Sequence, residues 1–162
     1  MDTKQEHGLS FDENSNGVYE EILVIARQDY DKYRKVIRAF LEGGATAWEG
    51  TYTLEYIEEN LREGTMVASL LHKDDNYKAL MITTIRDYGE DTRALRIEIL
   101  IATSFFHTAR AYATFEARVK ELGFAFIEAK THPTIAAYMV NKRGYTCPGV
   151  YIRRDLRPSR RN

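Results

Sequence analysis

The spacing of apolar and polar positions changes period along the chain, and each change marks an element. Glu21–Arg27 is a short apolar run of strand length. Asp29 stands where a helix cap is expected. After it Tyr33, Ile37, Phe40 and Leu41 recur at helical spacing until Gly43-Gly44. A second helix is predicted from about Thr53, with Leu54, Ile57 and Leu61 on one face, Glu55 in its first turn and Gly64 at its end. Three strands follow: Met66–Leu71, Tyr77–Arg86 and Leu95–Ala102. In the last of these, alternation puts Leu95, Ile97, Ile99 and Ile101 on one face and Arg96 and Glu98 on the other. The linkers His72–Asn76 and Asp87–Thr92 are polar and of hairpin length, so the three strands are expected to form an antiparallel meander. From Thr108 the period is helical again, with Tyr112, Phe115, Val119 and Leu122 on one stripe and Gly123 closing it. Phe124–Lys130 reads as a strand, His132-Pro133 opens a short helix that Gly144 ends, and Val150–Arg153 reads as a last strand. The predicted order is β-α-α-β-β-β-α-β-α-β, with no internal repeat.

Composition narrows the class. The 162 residues are 44% apolar and 29% charged, which excludes disordered and fibrous chains and suits a single α/β (α+β) core. A chain of this length buries enough surface to need neither a metal nor disulfides. Residues 1–19 read as a flexible acidic leader, 20–154 as the domain and 155–162 as a basic tail. No run reaches the roughly 20 apolar residues of a membrane span, and the polar start is not that of a signal peptide. The single cysteine, Cys147, cannot form an internal disulfide and suggests a reducing, cytoplasmic setting. A net charge of −1 argues against a nucleic-acid clamp, leaving only the Arg157–Arg161 tail for RNA or another acidic partner.

The order of elements, and the stretch Lys120-Glu121-Leu122-Gly123-Phe124 followed by a strand, a short helix and Asn141-Lys142-Arg143-Gly144-Tyr145, resembles the GCN5-related N-acetyltransferase (GNAT) superfamily. The resemblance covers residues 20 to about 154. It implies a three-layer fold with helices on both faces of a mostly antiparallel, six-stranded sheet, and acetyl-CoA held in a split between the fourth and fifth strands. Leu100, Ile101, Ala102 and Thr103 would then meet the pantetheine arm. The turn from Ser104 through His107, Thr108, Ala109 and Arg110 would cradle the pyrophosphate, as helix N-termini do for polyanions. The family's glycine-rich pattern is missing here: Ala102-Thr103-Ser104-Phe105-Phe106-His107 contains no glycine, and hydroxyls, His107 and Arg110 stand in its place.

Acyl transfer to an amine needs a base for the amine proton and an acid for the departing thiolate. Glu98, on the polar face of its strand beside Arg96, matches the family's frequent acidic position and is the candidate base. The family's acid is a tyrosine four residues before the second Gly, where this chain has Val140; Tyr138 is the nearest candidate. Trp48 lies where the family's acceptor loop runs and is expected to line a pocket, a subunit contact or the core. The four histidines (His7, His72, His107, His132) have no metal-ligand spacing, and no nucleophile elbow, P-loop or dinucleotide fingerprint occurs. Two readings follow. One is a divergent acyltransferase moving acetyl from acetyl-CoA to an amine. The other is an inactive GNAT-fold binding or assembly protein, phage-encoded and virion-associated, whose eleven tyrosines serve a protein partner or a homo-oligomer.

Overall fold

The computed structural model describes residues 20–73, 76–129 and 133–146. Its elements, in order, are β1 (Glu20–Ile25), α1 (Tyr30–Gly43), α2 (Leu54–Glu63), β2 (Val67–Lys73), β3 (Asn76–Asp87), β4 (Arg93–Ala102), α3 (Phe105–Glu121), β5 (Phe126–Ala129) and α4 (Pro133–Arg143). They divide into two compact units between Lys130 and Thr131, so α4 stands in the second unit. The expected strand Val150–Arg153 and both charged tails lie outside the described residues, so five strands are described rather than six.

The five strands form one sheet in the order β1-β2-β3-β4-β5. The first four are antiparallel neighbours: short polar linkers join β2 to β3 and β3 to β4, while β1 pairs with β2 across the α1–α2 connection, and β5 joins β4 in parallel after the α3 crossover. One face carries Leu23, Ile25, Ala68, Leu70, Leu80, Ile82, Ile99 and Ile101, packed with Ile37, Leu41, Trp48, Ile57 and Leu61 of α1, α2 and their connection. The alternate residues Leu71, Ala79, Met81 and Ile97 are also buried, and α3, with buried Tyr112, Phe115 and Val119, packs on β1, β3 and β4. Helices thus lie against the sheet with two apolar faces to cover.

Local signals act as expected at most boundaries. The Thr53 hydroxyl accepts the Tyr56 N–H at 3.2 Å and starts α2, and Gly64 ends it in the left-handed region at φ +82°. Two details differ. Asp29 occupies the cap position of α1 but makes no side-chain cap bond, because a preceding single 3-10 turn, Arg27–Asp29, already holds it at helical dihedrals (φ −95°, ψ 0°). Leu122 falls just past the end of α3 and is exposed rather than on the buried stripe.

Candidate functional site

β4 positions the site. Its register against β3 runs from Ala79↔Ala102 to Ile82↔Ile99 and then shifts, so that Thr83 faces Ile97 and Thr84 faces Arg96. Glu98 is therefore the extra residue of a β-bulge. Bulges leave one residue unmatched and turn its side chain, and here the Glu98 carboxylate lands on the face that Thr84 and Arg86 share. The expected assignment of Ile97, Ile99 and Ile101 to one face is corrected by this shift: Ile99 and Ile101 join the α1–α2 side, while Ile97 pairs with Thr83 on the other.

β5 lies beside the part of β4 that precedes the bulge. The parallel pairing runs from Ala94↔Phe126 to Ile97↔Ala129, and from Glu98 to Ala102 the only strand beside β4 among the described residues is β3.

Three donors, one from the α1–α2 connection and two from β3, converge on this carboxylate, whose side chain is only 7% exposed. The Tyr52 hydroxyl donates to Oε2 at 2.7 Å, the Thr84 hydroxyl to Oε1 at 2.6 Å, and Arg86 Nη2 reaches Oε1 at 3.4 Å. The ion-pair partner of Glu98 is thus Arg86 on the neighbouring strand, not Arg96. Arg96 turns to Glu128 of β5, with Nε at 3.0 Å and Nη2 at 2.9 Å from Oε2, and the Tyr88 hydroxyl donates to the other oxygen of Glu128. Burial alone would raise the Glu128 carboxyl. The bonds from Tyr88 and Arg96 outweigh it and hold the group below the usual carboxylate range.

Tyr52 is placed by the connection between α1 and α2. Gly44 packs against the Ile101 side chain so closely that no Cβ fits there, which brings this connection down onto the end of β4. Trp48 of the same segment is buried and donates its indole N–H to the Leu41 carbonyl at 2.9 Å, closing α1. Of its three expected roles, the one seen is in the core. Burial, followed by the bond to Glu98, pushes the Tyr52 hydroxyl up to about 12, so it keeps its proton and donates throughout the neutral range. Its ring stacks on that of Tyr56, centroids 5.6 Å apart and planes within 1°, and Tyr56 is about half exposed.

The residues expected to hold acetyl-CoA lie next along the chain. Leu100, Ile101 and Ala102 form the half-buried end of β4, and the Thr103 N–H donates to Lys78 O at 2.9 Å. Ser104 caps α3, its hydroxyl accepting the His107 N–H at 3.3 Å. The backbone of Thr108, Ala109 and Arg110 follows in the first turns of α3. These parts fit acetyl-CoA chemically. The main-chain groups of a strand end suit the amides of a pantetheine arm, and the first turn of a 17-residue helix presents N–H groups and a positive dipole end to phosphate. Tyr138 lies on α4 in the second unit and is described only within it.

No family model matches the chain, and neither does any curated protein. Solved structures do match. An aminoglycoside acetyltransferase from an uncultured soil metagenomic sample, in complex with trehalose, aligns over 85% of this chain and 97% of its own at 14% identity, with a TM-score of 0.59. The chain has the GNAT fold. An aminoglycoside N-acetyltransferase in complex with CoA aligns over 87% of this chain and 97% of its own, at 15% identity and a TM-score of 0.55. The ribosomal-protein-alanine N-acetyltransferase of Brucella melitensis aligns over 85% and 98%, at 12% identity and 0.57. The GNAT architecture expected from the order of elements is therefore present, in a sequence far removed from these relatives.

Sequence reasoning located Glu98 but none of its partners. Thr84 and Arg86, two apart on one strand, share a face, yet only the register reveals that Glu98 faces them. Tyr52 reaches Glu98 across 46 residues of sequence, through a glycine contact that no local pattern reports.

Proposed function

We propose that this GNAT-fold protein is an N-acyltransferase that moves acetyl from acetyl-CoA to a primary amine, with Glu98 as base and Tyr52 as the group between Glu98 and the amine. The observation that carries the reading is the nearly buried Glu98 at a β-bulge, with the 2.7 Å bond from Tyr52 and the 2.6 Å bond from Thr84. Acetyl-CoA, when bound, supplies the activated acyl carbon and a thiolate leaving group. Leu100–Thr103 and the Ser104–Arg110 turn are the residues that would hold it. Tyr52 lends an oxygen lone pair to the amine proton while passing its own proton to Glu98 Oε2. A neutral tyrosine suits this relay, and its raised hydroxyl keeps it neutral. Thr84 and Arg86 hold the carboxylate still, so the proton path costs little reorganisation.

The test begins with calorimetric titration of acetyl-CoA, with desulfo-CoA alongside, followed by CoA release from a panel of amines. Binding in the micromolar range, about −8 kcal/mol, is expected. Glu98→Gln should lower kcat by roughly 10²- to 10⁴-fold, and Tyr52→Phe should lower kcat with acetyl-CoA affinity retained. Silence at millimolar acetyl-CoA, or unchanged kcat in Glu98→Gln, refutes the proposal.

A further inference from the structure

Beyond Tyr52 and Glu98, the sheet face continues outward as a polar floor. Thr84 and Arg86 of β3, Arg96 and Glu98 of β4 and Glu128 of β5 share it, joined by the bonds already described, with Tyr88 at its outer end. This floor extends the apolar row Leu80–Ile82, and its side chains grow more exposed outward: 7% at Glu98, 28% at Arg96 and 47% at Arg86. Two carboxylates and two guanidiniums make it neutral in sum. It is not, however, uniform. Glu98 is nearly buried and already holds two short hydroxyl bonds, while Arg86 spends one nitrogen on a long 3.4 Å contact. A guanidinium carries five N–H donors in a planar fork suited to a carboxylate. Anionic and cationic recognition groups thus stand side by side next to the proposed proton path, with Arg86 Nη2 3.4 Å from Glu98 Oε1.

We propose that the acceptor is amphoteric: a small molecule carrying a primary amine and, a few bonds away, a carboxylate. The amine is directed at Tyr52 and Glu98, and Arg86 takes the carboxylate, with Arg96 behind it. This rests on the acyltransferase reading above and assigns the substrate class of that site. Polyamines are disfavoured on the same ground. A second ammonium would meet Arg86 and Arg96, with Glu128 already held by Arg96 and Tyr88, and like charges brought together cost affinity. The half-exposed Tyr56 ring, stacked on Tyr52, offers a flat apolar surface to the acceptor's side chain.

The experiment compares free α-amino acids with their own amides and with spermidine as acceptors, using the full chain, saturating acetyl-CoA and CoA release as readout. The amine of an amide is the less basic member of each pair, so more of it is neutral and intrinsic reactivity favours the amide. Preference for the acid must therefore come from the protein. The expected result is kcat/KM roughly 10- to 100-fold higher for the acid, from the loss of a charge-assisted hydrogen bond in the amide. In Arg86→Gln the acid-to-amide ratio should fall toward one, chiefly through KM, and Arg86→Lys should give an intermediate ratio because charge returns without the fork. Melting curves check that each variant folds, and the ratio in the unaltered protein stands without them. Turnover that favours the amide or spermidine, or an unchanged ratio in folded Arg86→Gln, overturns this inference and leaves the acyltransferase reading intact. No acetyl-CoA binding and no turnover of any amine overturns both.

Discussion

Gly44 is the residue whose replacement best separates structural logic from residue type. It follows Gly43 at the end of α1, and the two look equivalent in sequence. A Cβ on Gly44 would lie 2.5 Å from Cγ2 and 2.8 Å from Cγ1 and Cδ1 of Ile101, whereas nothing lies within 4 Å of one on Gly43. At φ −118° and ψ 36° the backbone of Gly44 is open to any residue, so the whole cost of Gly44→Ala is steric. Ile101 cannot give way easily. It is β-branched, stiff at χ1, and packed against the core on the α1–α2 face. Overpacking of this kind costs about 1–3 kcal/mol, which in a chain of this length lowers Tm by roughly 2–12 °C. Gly43→Ala, inside the last turn, should instead stabilise by about 0.5–1 kcal/mol through helix propensity.

The assay is a double-mutant cycle by urea unfolding, with Gly44→Ala in the natural background and in Ile101→Ala. Ile101→Ala removes all three carbons that the new methyl would strike. The cost of Gly44→Ala should then fall close to zero, giving a coupling of about 1–3 kcal/mol. An equal cost in both backgrounds would refute the argument and place the effect in the backbone or the unfolded chain. In the single variant, relief by displacement of the α1–α2 connection would also move Tyr52. A sub-ångström shift at a proton-transfer group lowers kcat more than it lowers stability.

Two further predictions concern the buried pair behind α1 and α2. The Tyr30 hydroxyl donates to Glu58 at 3.0 Å, and burial first, then that bond, push it up to about 12. Its folded value lies above its unfolded value of about 10, so its contribution is complete below pH 10 and is lost as pH rises toward 12. Tyr30→Phe should cost about 1–2 kcal/mol at neutral pH and flatten the alkaline limb of stability measured by denaturant titration. A limb as steep as that of the natural protein counts against it. Glu58 is shifted the other way. Burial opposes ionisation, but Arg34 and Tyr30 together outweigh it, so its contribution is present above the ordinary carboxylate range and is lost as pH falls through the lowered folded value. Arg34→Gln should reduce stability at neutral pH and make acid unfolding less steep. An unchanged difference between pH 7 and pH 3 would show that the pair is not the cause.

How much of this was legible in the sequence follows from what the chain must satisfy locally. Helix ends were readable because Thr53, Gly64 and Gly123 answer to the backbone of their own segment. The meander was readable because short polar linkers permit only antiparallel neighbours. The GNAT order followed from these two facts, without a glycine-rich loop to announce it. What could not be read was the phase of β4. Leu95-Arg96-Ile97-Glu98-Ile99-Leu100-Ile101 alternates without a break, and yet the bulge reverses its faces at Glu98. In a sheet exposed on one side that reversal would leave a row of isoleucines in water, and the sequence would have to change to match. Here helices lie against the sheet, and both faces are apolar, so Ile97 and Ile99 are equally buried though they point in opposite directions. Alternation therefore carried no phase, and the face of Glu98 was fixed by partners it alone finds: Tyr52 from the α1–α2 connection, and Thr84 and Arg86 across the register shift. Arg96 and Glu98 keep the common face that alternation gives them. What the bulge adds is Ile99 on that same side, so that Glu98 stands beside the α1–α2 packing, where Tyr52 reaches it; in regular alternation with Ile99 it would have pointed toward α3.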